Sequence, residues 1–211
     1  MRVRGLLAFA AGALLVLAAG GARAAEEAPA ERALSGTITG YSYLLPDQPN
    51  YGMAVGTVNY GALHLEARYN YEARASASAF VGWTFAGGKE FTWEVTPIVG
   101  SLFGRARGLV PGVEASVGYK SFDVYVEAEY VFDRQQSSDN YFYAWSELGW
   151  TPVEWLRVGI VGQRTRVVDT DRDLQRGVLL QVFAGRATIS AYAFNPDNSN
   201  RYTTVALGFE F

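Results

Sequence analysis

Four glutamates, Glu94, Glu114, Glu127 and Glu147, recur in four successive segments at similar distances from the nearest turn. If those segments are strands, each glutamate falls on the polar side of its strand, because side chains alternate between two faces. The four would then form a row inside whatever the strands enclose. The same segments contain no Lys or Arg, and the nearest cations on that side are Arg68 and Arg157. Carboxylates this close in a confined lumen repel, so an arginine, a cation or a proton must sit among them. Two chemistries compete. As a cation-attracting constriction, the row would act as acidic rings do in cation-selective pores. As a plug, it would be satisfied by Arg157, Arg68, Tyr125, Tyr143 and Ser116 and would hold a narrow lumen rigid. Narrow barrels usually fill their interior with side chains, which favours the plug.

Other chemistry finds less support. Acyl transfer to or from lipid needs a His paired with a Ser near the outer leaflet. The single histidine, His64, follows a turn at the opposite end and points inward, where Thr57 or Glu90 would hold it. A two-carboxylate protease would carry its acids on long external loops, and the loops here are short. There is no cysteine, so disulfides and thiolate chemistry are absent. No phosphate-binding loop, metal-ligand spacing or dinucleotide fingerprint is present, so neither a cofactor nor a metal is expected. The inward aromatics Tyr41, Tyr43, Tyr125, Tyr143, Trp145, Tyr192 and Tyr202 would fill space before they would stack on a planar ligand.

The elements that must position these residues are strands. From about Leu34 the chain divides into twelve segments near 34–44, 51–60, 63–72, 76–85, 90–102, 108–119, 122–132, 141–151, 155–167, 174–184, 187–195 and 201–211. In 63–72, Leu63, Leu65, Ala67, Tyr69 and Tyr71 interleave with His64, Glu66, Arg68, Asn70 and Glu72. A period of two separates these sets completely, whereas a helix would smear the charges around its circumference. Tight turns are expected at 61–62, 86–89, 120–121, 152–154 and 185–186, on the periplasmic side. The external loops would be 46–50, 73–75, 103–107, 133–140, 168–173 and 196–200. Tyr60, Phe85, Phe91, Tyr119, Phe122, Trp150 and Phe211 gather near the tight turns, while Tyr71, Phe103, Tyr130, Phe132 and Phe142 gather at the other end. These are the two aromatic girdles of a membrane barrel.

The ends and the composition agree. Arg2 and Arg4 precede an apolar run from Leu6 to Ala19, and Ala22-Arg23-Ala24 is a small-x-small cleavage site, so residues 1–24 read as a signal peptide. Residues 25–33, rich in Ala and Glu, read as a flexible periplasmic extension, and 34–211 as one barrel domain. Losing Arg2, Arg4 and Arg23 from 18 basic and 21 acidic residues leaves a net charge of about −6, which excludes nucleic acid as a natural partner. A soluble lipocalin-like barrel would put its apolar face inside. Against that, the chain beyond the leader has two lysines, Lys89 and Lys120, both at turns, too few for an exposed β surface.

With an alternating last strand that ends on Phe211, the chain from about Leu34 onward resembles the small outer-membrane β-barrel proteins of Gram-negative bacteria. The resemblance implies that Phe211, Phe209, Leu207 and Val205 are read by the barrel-assembly machinery, and that outer-membrane lipid surrounds the protein. The expected fold is all-β: a transmembrane antiparallel up-and-down β-barrel of about twelve strands, or ten if 34–44 and 51–60 pair differently. Twelve strands lie between the filled barrels of about eight and the wide porins of about sixteen. The leading functional expectation is a non-enzymatic narrow channel for small cationic or neutral solutes. A closed structural or interaction barrel comes second and a lipid-modifying enzyme third. The external loops are too short for a receptor or adhesin.

Overall fold

Each alternating segment forms a strand in the computed structural model, which describes residues 33–167 and 173–211. The expected leader, the extension up to residue 32 and most of the loop at 168–173 lie outside the described residues. The strands are β1 (Leu34–Leu44), β2 (Tyr51–Tyr60), β3 (Leu63–Tyr69), β4 (Ser76–Trp83, continued by Phe85–Gly88), β5 (Phe91–Gly104), β6 (Gly108–Tyr119), β7 (Phe122–Asp133), β8 (Tyr141–Val153), β9 (Leu156–Val167), β10 (Asp173–Ala184), β11 (Ala187–Phe194) and β12 (Tyr202–Glu210). The two parts of β4 are one strand, because β5 pairs with both in a single register.

Each strand pairs antiparallel with its chain neighbours, and β1 pairs with β12 from Thr37↔Glu210 to Leu44↔Thr203, which closes the cylinder. Closure satisfies the backbone donors and acceptors that an open edge would leave stranded in lipid. The ten-strand option is excluded by the β1–β2 ladder, unbroken from Leu34↔Tyr60 to Tyr43↔Tyr51.

Period two now has a physical meaning. Ile38, Val81, Ile160, Val178 and Leu207 point outward and are exposed, whereas Thr39, Phe80, Val161, Leu179 and Ala206 point inward and are buried. An outward apolar belt needs lipid against it, which rules out the lipocalin-like arrangement. At the end with the tight turns, Phe91, Tyr119, Phe122 and Trp150 are successive register partners across four strands, so their common height is built into the hydrogen bonding. The rings of Phe122 and Trp150 stack with centroids 6.4 Å apart.

Two expectations about local structure need correction. Strand β3 ends at Tyr69 and not at residue 72, because Asn70 takes a left-handed backbone (φ 59°) and breaks the alternation. Tyr71, expected in the outer girdle, is therefore buried in the lumen at 1% exposure. The turn expected at 86–89 is smaller than that: Ala86, Gly87 and Gly88 continue β4 against β5, and the chain reverses at Lys89 and Glu90. This hairpin extends beyond the start of β3 at Leu63, whose partner on β4 is Trp83.

The seam between β1 and β12 depends on one glycine. Gly36 and Phe211 exchange backbone hydrogen bonds at 3.0 Å. A Cβ on Gly36 would lie 2.6 Å from the Phe211 ring and 2.6 Å from the Thr57 carbonyl oxygen. Gly36→Ala should therefore destabilise the barrel by about 1–3 kcal/mol through overpacking. Urea unfolding in lipid vesicles measures this, and an unchanged midpoint would mean the ring can swing aside at no cost.

Candidate functional site: the barrel lumen

Arg68 is the hub of the lumen. On β3 the alternation sends His64, Glu66 and Arg68 inward, and all three are buried. The Arg68 guanidinium is held between the rings of Tyr71 and Phe80, 4.1 and 4.3 Å from their centroids. Its Nε and Nη2 donate to Glu66 at 2.6 and 3.0 Å, and its Nη1 donates to Glu129 at 2.6 Å on β7. Glu127, Glu72 and Glu114 stand 3.2, 3.5 and 3.7 Å away. Strands β3 and β7 are four places apart in the sheet, so the Arg68–Glu129 bond crosses the lumen and does not run along the wall.

Five carboxylates thus surround one guanidinium. Hydroxyl donors carry part of the load: Tyr71 donates to Glu127, Tyr125 donates to the same carboxylate at 3.3 Å, and Ser78 donates to Glu72 at 2.6 Å. One oxygen each of Glu72, Glu114 and Glu129 is buried without a hydrogen bond. The cluster is short of positive charge, and carboxylates kept from water favour any cation that can reach them.

The expected row of four glutamates divides into three places. Glu114 and Glu127 face each other across the β6–β7 ladder and join the Arg68 cluster. Glu147 is opposite Tyr125, one inward position from Glu127's partner Trp145, and belongs to a second cluster. There Arg157 Nη1 donates to Glu147 at 2.7 Å and to Gln181 at 2.6 Å, Arg157 Nε donates to Asp123 at 3.0 Å, and Trp145 Nε1 donates to Glu147 at 3.0 Å. Glu94 lies on the extended β4–β5 hairpin and is exposed at the end with the tight turns. Counting from turns missed this because adjacent strands of a tilted barrel are staggered.

Arg68 and Arg157 are thus the counter-charges of separate clusters. Glu66, Glu72 and Glu129 complete the first one and were absent from the row. Their signal was the spacing Glu66-x-Arg68 and Glu127-x-Glu129 on one strand face, which fixes the side of the strand but not what stands opposite.

His64 does not sit with Thr57 or Glu90. Its register partner Asn59 places Oδ1 2.8 Å from His64 Nδ1, while His64 Nε2 faces Glu66 Oε2 at 3.5 Å and Glu114 Oε2 at 3.9 Å. Thr57 pairs instead with Thr37, with hydroxyl oxygens 2.8 Å apart. Among the described residues, the donor atoms of His64, Glu66 and Glu114 come within 4.8 Å of one another, close enough to share a metal ion.

The inward aromatics pack as one body. Tyr41, Tyr43, Tyr125, Tyr143, Trp145, Tyr192 and Phe194 are all buried in one cluster, with Tyr51 and Tyr202 packed against it. Tyr43 stacks on Tyr51 with centroids 4.6 Å apart, and Phe194 on Tyr202 at 4.7 Å. Above these rings, at the end with the longer loops, Tyr43, Tyr51, Tyr202, Asp47, Asp173 and Gln175 border a vestibule of about 410 Å³. Arg176 donates to Asp197 nearby and holds that exposed carboxyl below its ordinary range. The residues of the expected assembly signal, Val205, Leu207, Phe209 and Phe211, all face outward from the seam.

No protein-family model matches the chain, and no curated protein matches it. Solved structures share its fold. The KdgM porin gives a TM-score of 0.62 at 11% identity, over 83% of this chain and 98% of that one. The KdgM porin in complex with disordered oligogalacturonate gives 0.64 at 10% identity, over 83% and 99%. Omp33 of Acinetobacter baumannii gives 0.49 at 16% identity, over 84% and 98%. The chain has the architecture of these outer-membrane barrels, and its outward apolar belt fits a lipid surround.

Proposed function

We propose that the barrel is a narrow outer-membrane channel for small cationic or neutral solutes, with the Arg68 cluster as its constriction. The observation that carries this reading is the convergence of five carboxylates on one guanidinium across the lumen. Such a constriction offers a passing cation the charge that the protein itself leaves unmatched, and it repels anions. The fold shared with the KdgM porin supports a channel, although the solute must differ. An oligogalacturonate carries a carboxylate on every sugar and would meet like charge here. The aromatic-floored vestibule would admit a small solute before the constriction.

A closed barrel is the second reading, and the packing favours it: Tyr71, Tyr192 and Phe194 are each 1% exposed although they point into the lumen. Planar-bilayer recording of the purified protein separates the two. The channel reading expects small conductance steps with a reversal potential on the cation-selective side. Glu94→Gln combined with Glu114→Gln should move that potential toward zero, since it removes one charge from the mouth and the one least tied to Arg68. Anion selectivity in the unmodified protein would overturn the acidic constriction, and an absence of steps would leave the closed barrel.

A further inference from the structure

We propose that His64, Glu66 and Glu114 form a lumenal binding site for one divalent transition-metal ion of the zinc class, with water at a fourth position. Three observations converge on it. First, the donor atoms are already arranged: His64 Nε2 is 3.5 Å from Glu66 Oε2 and 3.9 Å from Glu114 Oε2. Ligands bound about 2.0–2.1 Å from a tetrahedral zinc stand roughly 3.3–3.4 Å apart, so an ion fits once the three donors, which lie within 4.8 Å of one another, draw in toward that spacing.

Second, the buried imidazole is aimed into the site. The His64 side chain is 5% exposed, and its Nε2 makes no hydrogen bond. The partner of Nδ1 is an amide oxygen, Asn59 Oδ1, which can only accept, so Nδ1 carries a proton. Nε2 faces two carboxylate oxygens, and in the neutral ring a cation among the three would convert their mutual repulsion to attraction. A ring N–H held by a neighbouring oxygen while the other nitrogen binds is the usual outer support of a metal-bound histidine.

Third, the positive charge nearby falls short of the negative, since one guanidinium, Arg68, serves five carboxylates. Glu66 is shared with Arg68, yet its Oε2 keeps a lone pair after accepting one bond at 3.0 Å. Glu114 has its nearest guanidinium nitrogen at 3.7 Å, and its Oε1 is buried without a hydrogen bond. An imidazole in the set selects zinc and its neighbours over calcium and magnesium, which prefer oxygen alone. Glu94, close enough to His64 to interact with it electrostatically, lies on the route from the periplasmic mouth.

The site stands on lumen geometry and does not depend on conduction. Its test is calorimetric titration of Zn2+ into chelator-stripped, detergent-purified protein, with metal content measured after dialysis. The expected result is uptake of about one ion per chain, not displaced by excess Ca2+, with Co2+ in its place giving the visible absorption of a tetrahedral site. His64→Gln should lose this uptake. Asn59→Ala leaves all three donors and should weaken it roughly 10–100-fold. Should His64→Gln fail to fold, the Co2+ spectrum and Asn59→Ala carry the test. No equimolar uptake, uptake undiminished in His64→Gln, or displacement by Ca2+ would overturn the proposal. So would an imidazole NMR signal that stays that of a doubly protonated ring in stripped and Zn2+-treated protein alike.

Discussion

Arg68→Met should lower the stability of the barrel by about 3–5 kcal/mol, the loss expected when one partner of a buried ion pair is removed and the other is left uncompensated. Met fills much of the space between the Tyr71 and Phe80 rings, so the effect would come from charge. Glu66 and Glu129 would lose their direct donors, and Glu72, Glu114 and Glu127 would lose the cation within 3.7 Å. The bridge from β3 to β7 would also be cut, leaving facing walls that share only repulsion. Urea unfolding in lipid vesicles, followed by tryptophan fluorescence and by the heat-modifiable gel band, reads the change. Adding Glu66→Gln and Glu129→Gln to Arg68→Met should restore part of the loss, because neutral amides have no need of the guanidinium. A loss below about 1 kcal/mol, the range of solvent-exposed pairs, would show that water screens the cluster and that Arg68 is no hub.

Ile160→Arg should cost about 2–4 kcal/mol, the penalty of an arginine facing lipid near the middle of the bilayer. Ile160 lies near the centre of β9, faces outward and is 59% exposed. On a protein surrounded by water, a change at such a site would fall within about 0.5 kcal/mol of neutral. The size of the effect therefore measures what the outer face touches. Leu174→Arg supplies the contrast. Leu174 is equally exposed, but it is the register partner of Arg164 near the external end of β10, where Arg164, Arg166 and Arg176 already share the outward parity. Its cost should be about 0–1 kcal/mol, as for charges near the interface. Equal costs at the two positions would mean that the apolar belt does not end below the external loops.

The faces of the strands were legible along the chain because alternation is a local property. Glu66, Arg68, Glu114, Glu127 and Glu147 face inward as their strand parity implies, and so do Tyr41, Tyr43, Tyr125, Tyr143, Trp145, Tyr192 and Tyr202. The count of twelve held for the same reason, since each turn signal lies beside the strands it joins. Tyr71 shows where local reading fails: at one left-handed residue, Asn70, the alternation ends, so that Tyr71 and Glu72 both turn inward, and neither neighbour reveals that. The division of the glutamate row shows the second failure. Heights counted from turns ignore the stagger of tilted strands, so Glu147 was grouped with Glu127 although it is held by Arg157.

The sequence by itself thus determined the architecture, the outward belt and the acidic character of the interior, since these follow from a two-residue period and short-range turn chemistry. Which charges meet was decided only by the tertiary structure. Arg68 meets Glu129 because the curvature of the sheet brings β7, four strands away, across the lumen from β3, and His64 meets Glu114 because β6 enters the same lumen from further along the wall. Contacts across a barrel join residues far apart in the chain, and no spacing within a strand encodes the strand that closure places opposite it.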